Sequence, residues 1–200
     1  MKEYINPEVH QALVEYCAPV ILGRKPAALF TLSSIACLLC LKNALSRLLS
    51  IKILRKYPNN FLVMVYDKKS MSSLLSENSK IKNALNLFGY DKNFSVKSYL
   101  AFLKYRFRKS EEFPHEIGVF LGYPLADVFG FIRNKGQEYK YCGIWKVYGN
   151  EEYSRRCFDE YKHCGECLRK HLSKGGSLKD FNMFYEINIK EKKEGGNFYE

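Results

Sequence analysis

Phe61-Leu62-Val63-Met64-Val65-Tyr66 is an uncharged run of six apolar, β-branched and aromatic residues, the strongest strand signal in the chain. Working outward, Pro58-Asn59-Asn60 is a turn, and Ile51-Lys52-Ile53-Leu54 before it alternates apolar with polar. The two runs therefore predict a hairpin. Ala28 to Leu32 reads as a short buried strand, and Tyr139 to Val147, around Trp145, as a fourth candidate.

Helical signals surround these strands. Asn6-Pro7-Glu8 supplies a cap, a proline at the first helical position and an acid in the first turn. That helix is expected to run to about Tyr16 and to break at Cys17-Ala18-Pro19, because the residue before proline avoids the helical region. Ser33 or Ser34 opens a helix to about Leu49. Residues 68–76 and 79–88 read as two short helices, the second ending at Gly89. Ser95 opens another to about Lys109. Residues 113–132 read FPHEIGVFLGYPLADVFGFI and predict two short helices split at Gly122-Tyr123-Pro124. Glu151 to about His163 is a further helix, with acids in its first turn. Strands scattered among helices predict an α+β fold: one domain over residues 1–168, with a small, mainly antiparallel sheet of three or four strands packed with helices. Residues 169–200 are expected to form a C-terminal extension, partly flexible, with a charged tail from about Lys190.

Composition narrows the class. Of 200 residues, 46% are hydrophobic and 15% aromatic, too many for a disordered chain, and 13 Gly with 6 Pro exclude collagenous types. The longest uncharged run, Pro26 to Leu41, is shorter than the roughly 18–20 residues of a membrane-spanning helix. The N-terminus lacks the pattern of a signal peptide. Seven cysteines, an odd number with no secretion signal, favour a reducing, cytoplasmic setting without membrane insertion. The net charge of +11 is regional: residues 1–113 hold 18 basic and 8 acidic groups, net +10, and residues 151–200 balance at 10 and 10.

Several residues carry possible chemistry. His115-Glu116 offers a neutral-pH titrator or metal ligand beside a carboxylate, or simply a helix start behind Pro114. Cys17 stands near Arg24 and Lys25, cations that would lower its pKa, and Gly23-Arg24-Lys25 could cradle an anion. Tyr123 could line the same ligand pocket. Lys97, Lys104, Arg106, Arg108 and Lys109 form a basic helix with interleaved aromatics, suited to an acidic protein partner. No helix-turn-helix, RNP or zinc-finger signature supports nucleic acid. Cys37 and Cys40 fit core packing, whereas His163, Cys164 and Cys167 are a weak metal or redox set. P-loop, Rossmann and H-E-x-x-H patterns are absent, so no cofactor and no reaction is assigned.

The blocks Cys17-Ala18-Pro19, Gly23-Arg24-Lys25-Pro26, HEIGVFLGYP within residues 113–132, and Trp145-Lys146-Val147-Tyr148 resemble, in this order, a family of uncharacterised clostridial (Firmicutes) proteins, domain of unknown function 3793. The resemblance runs from about Cys17 to Cys164. It implies a single cytoplasmic domain with no established activity, in a setting of iron and redox physiology where a flavodoxin would be an acidic partner. The combined expectation is a protein that binds a cofactor, metal or small anionic ligand. The alternatives are a non-enzymatic module docking on an acidic protein through its basic helix and, ranked after it, nucleic-acid binding.

Overall fold

The computed structural model describes residues 6–185. Three strands, β1 (Ala27–Leu32), β2 (Ser50–Lys56) and β3 (Phe61–Tyr66), form an antiparallel sheet of order β1-β3-β2. The hairpin expected from the sequence is β2–β3, with Lys56 opposite Phe61 and Ser50 opposite Tyr66. β3 lies in the middle, and Ala27 pairs with Tyr66 on its other side.

The central position explains the unbroken apolar run. Successive side chains of a strand point to opposite faces. Val63 and Val65 join one core with Leu13, Cys17, Phe30, Leu41 and Leu168. Leu62 and Met64 join a second core with Leu54, Tyr99, Leu103, Phe107 and Phe120. Helices cover both faces. On the first lie α1 (Pro7–Ala12), α2 (Ala18–Ile21), α3 (Ile35–Leu45) and α9 (Glu151–Ser173). On the second lie α4 (Lys68–Ser72), α5 (Ser79–Asn86), α6 (Val96–Lys109), α7 (Ile117–Phe120) and α8 (Leu125–Arg133). This is the expected α+β domain.

The caps follow local chemistry. Asn6, Ser34, Asn78, Ser95 and Asn150 each accept a backbone N–H through the side chain at the start of a helix. Four elements differ from the sequence reading. The first helix does not break at Pro19: Leu13–Cys17 widens into a π turn, and α2 carries the chain on to Ile21. Ala18 N–H reaches back five residues to Leu13 O, and this wider turn accommodates the pyrrolidine ring within the helical path. α3 ends at Leu45 rather than Leu49. Tyr139 to Val147 adds no strand to the sheet; β4 (Tyr141–Cys142) and β5 (Lys146–Val147) make their own two-residue ladder. α9 extends ten residues beyond His163, to Ser173.

Residue 168, where the sequence reading ends the domain, lies within α9. Beyond that helix Leu178, Phe181 and Tyr185 are buried in the first core. The tail from Lys190 falls outside the described residues. No helix among the described residues is long and apolar enough to cross a membrane.

Candidate functional site

The most motif-like stretch, residues 113–148, folds into a cleft. Gly122 ends α7 at φ +79°, a conformation that favours glycine, and a Cβ there would stand 2.6 Å from Pro26 Cδ. The turn presents the Tyr123 ring, which stacks on Trp145 at 4.6 Å between centroids. Trp145 in turn meets the edge of Phe158 on α9 at 4.4 Å.

Asp127 fixes this arrangement. It is 2% exposed. Its Oδ2 accepts Trp145 Nε1–H at 2.7 Å and the Ser154 hydroxyl at 3.3 Å. Its Oδ1 accepts the backbone N–H of Tyr148 at 2.8 Å and of Gly149 at 2.7 Å. Four donors satisfy a buried carboxylate and clamp α8, the β5 loop and α9 together. Asp127 is therefore a positioning residue, which its place in the first turn of α8 did not reveal.

The resulting cleft holds about 340 Å³ and is walled mainly by apolar groups, including Leu29, Phe113, Ile117, Val128, Phe131 and Ile144. His115, Tyr123 and Lys146 also line it. The His115 ring is exposed and packs on Phe131 at 4.7 Å and Phe113 at 5.4 Å. Lys146 Nζ donates to Gly136 O at 2.6 Å and lies 4.8 Å from the Tyr139 ring centre.

His115 and Glu116 diverge, as adjacent residues on a helical turn must. Glu116 is 1% exposed and faces the second core. Its Oε1 accepts Arg106 Nε–H at 2.7 Å and the Tyr90 hydroxyl at 3.4 Å. The hydrogen bond to Glu116 raises the pKa of Arg106, and burial raises that of Tyr90. Thus two residues read as belonging to different sites, Arg106 and Glu116, pair with each other.

Cys17 and His115 do not meet. Cys17 is fully buried in the first core, and burial pushes its thiol far up, against the smaller opposing effect of Lys25. The expected activation of Cys17 by nearby cations is overturned, because desolvation outweighs attraction. Lys25 is 8% exposed. Its ammonium lies 5.4 Å from the ring centre of Tyr123 and 5.7 Å from that of Tyr161. No hydrogen bond or carboxylate engages it among the described residues. Burial pushes its pKa down to about 8, and burial raises Tyr123 to about 12. Tyr123 thus touches the cleft on one hand and Lys25 on the other. Arg24 reaches Glu160 at 3.4 Å.

Of the remaining residues, Lys104 and Arg108 line a groove between α6 and β2, and Lys97 lies near enough to Lys52 to act on its charge. Lys109 is exposed in the last turn of α6. His163 and Cys167 approach across one helical turn, at 3.5 Å from Sγ to Nε2. Cys164 instead turns inward and donates to the Tyr185 hydroxyl at 3.7 Å. Among the described residues no group of three His, Cys, Asp or Glu is placed to hold a metal ion. All seven cysteines are free thiols.

Sequence reasoning missed Phe113, Phe131 and Ile144 as cleft walls, and Lys52 and Arg55 as neighbours of the basic helix. The two groups come together only through tertiary packing, so no local spacing marks them. No curated protein and no solved structure matches the chain. The family profile described as "Protein of unknown function (DUF3793)" matches residues 13–181, most of the chain. The cleft, the Asp127 clamp and the Lys25 cage all lie within that match, and the chain belongs to the DUF3793 family.

Proposed function

We propose that the chain is a cytoplasmic ligand-binding domain whose cleft takes a flat, largely apolar cofactor or effector bearing an anionic group. The observation that carries this reading is the cleft of about 340 Å³ beside the Tyr123–Trp145 stack, with Phe131 and Ile144 in its walls. A concave, mainly apolar recess with a few polar groups is the usual form of a small-molecule site. Lys146 and His115 supply the groups that would meet the anionic end. Seven free thiols suit a reducing compartment. The iron and redox setting implied by the family resemblance suits a planar ligand, and supports this reading without choosing the compound.

Trp145 is the sole tryptophan, so occupancy reports directly on the site. The probe is 8-anilino-1-naphthalenesulfonate, a planar aromatic anion. It should bind one site saturably, quench Trp145 and emit by energy transfer. Ile144 is 48% exposed, so Ile144→Asp leaves the fold intact while placing a carboxylate in the cleft. It should weaken the probe by about tenfold or more, the equivalent of about 1.4 kcal/mol. No saturable quenching, or equal affinity in a variant with unchanged circular dichroism, would overturn the reading.

A further inference from the structure

The basic character of the first half of the chain has a definite place in the fold. β2 is an edge strand of the sheet, and α6 packs against it on the face of the second core. Strict alternation would put Lys52, Leu54 and Lys56 on one face of β2 and Arg55 on the other. The ladder instead shifts between Ile53 and Arg55. Lys52 is opposite Met64, and Arg55 is opposite Leu62, two residues that both face the second core. The bulge therefore buries Leu54 and also turns Arg55 to the face of α6. Re-aiming a side chain is a recurrent use of bulges at functional sites.

The outcome is a groove of about 400 Å³ lined by Ile53, Leu54, Arg55, Lys56, Lys104 and Arg108, although the Lys56 ammonium itself lies over the Phe61 ring at 5.9 Å, on the first-core side of the sheet. All its charged lining residues are cations, and no acid lines it among the described residues. Lys52, half-buried alongside, has its pKa lowered by burial and then by the charges of Lys104 and Lys97. Cations crowded without a counter-charge repel one another, and a bound polyanion would relieve that repulsion. Arg106 takes no part, because Glu116 holds it on the other side.

We infer that the groove between β2 and α6 is a binding site for a linear, multiply phosphorylated small molecule. The recess is small and concave, whereas an acidic protein face is broad and calls for a broad complement. Arginine forks match phosphate oxygens two at a time, and lysines add point charge along the chain of phosphates. Leu54 forms the groove's apolar floor, and none of its lining residues is aromatic. The Tyr57 ring beside it has the Arg55 guanidinium 5.2 Å from its centre, so the groove offers phosphate contacts rather than a stacking platform for bases.

Calorimetric titration with inorganic tripolyphosphate, pyrophosphate and orthophosphate tests the site in the full chain. Tripolyphosphate should bind one site, more tightly than pyrophosphate, with orthophosphate weakest, and its affinity should fall with added salt. The double variant Lys104→Gln with Arg108→Gln should lose about tenfold or more. Lys68→Gln with Lys69→Gln removes the same charge from exposed positions on α4 and should change affinity less than about twofold. Ile144→Asp, in the cleft, should leave tripolyphosphate binding unchanged. Absence of saturable binding, or equal losses in both double variants, would overturn the inference. So would tighter binding of a hexaglutamate peptide than of tripolyphosphate, which would mark a protein-docking face instead.

Discussion

Lys25 is a charged residue in a place that offers it two tyrosine rings and, among the described residues, no carboxylate. Cation–π contact recovers part of the lost hydration, roughly 2 kcal/mol where the cation is desolvated. Burial still dominates, and the pKa falls from 10.5 to about 8. A base whose folded pKa lies below its unfolded value binds fewer protons when folded, between those two values. Folding is thus penalised fully below pH 8, and the penalty fades as pH rises toward 10.5. Cys17 acts in the opposite direction above about pH 9, because burial keeps its thiol protonated in the folded chain while the unfolded thiol ionises. The difference between wild type and Lys25→Met isolates the lysine. Lys25→Met should be the more stable at pH 7, by up to roughly 3 kcal/mol from the size of the shift. That advantage should shrink steadily between pH 8 and pH 10. Urea melts across this range measure it, and a difference independent of pH would show that Lys25 is not held in the cage. A lysine retained at such a cost is consistent with a role in binding, through Tyr123, at the adjoining cleft.

At the scale of elements, the π turn and the glycine of α9 belong together. Ala18 N–H is taken by Leu13 O, and Pro19 has no N–H, so neither the fourth nor the fifth residue onward offers Val14 O a donor. That carbonyl faces Gly165, where an added Cβ would lie 2.7 Å from the oxygen. The backbone of one helix thus rests on the glycine of another. Gly165→Ala must move a helix rather than a side chain, and should destabilise the chain by about 1–3 kcal/mol despite alanine's better helix propensity. Thermal melts of Gly165→Ala beside Gly175→Ala decide the matter. Gly175 has no atom within 4 Å of an added Cβ, so only its φ of +84° opposes alanine there. A neutral or stabilising effect at Gly165 would remove the close approach from the account. This pairing also marks what the sequence could and could not show. Caps at Asn6, Ser34 and Ser95, the Pro58 turn and the apolar run of β3 are local chemistry, readable over a few residues. Pro19 signalled a break by the same local rule, but packing against α9 favoured a wider turn. The cleft was half legible: Tyr123 and Trp145 lie in distinctive blocks, while Phe113, Phe131 and Ile144 gain meaning only when α8 folds over the β4–β5 ladder. Glu116 and Arg106 were both noticed, yet their mutual pairing is a long-range fact.

At the scale of the whole molecule, the sheet is a thin partition between two cores, and each must be sealed by helices distant in sequence. The first core is closed by elements far apart in sequence: α1 and α2 on one side, α9 and the residues after it on the other. Phe181 is fully buried there, packing its ring against His171 at 5.8 Å and Tyr185 at 6.1 Å. His171 Nε2 lies 2.9 Å from Ser177 O, tying the residues after α9 back to that helix. If the stretch after α9 seals the core, removing its anchor opens a cavity inside a cooperative unit. Phe181→Ala should then cost about 3–5 kcal/mol, the usual loss for a large aromatic deleted from a core. Its urea dependence should stay steep and single-phased. Met183, 66% exposed two residues away, provides the contrast, and Met183→Ala should stay within about 0.5 kcal/mol. Equal, small effects at both positions would mean that the first core is complete without this segment, and that α1, α3 and α9 suffice to close that face of the sheet.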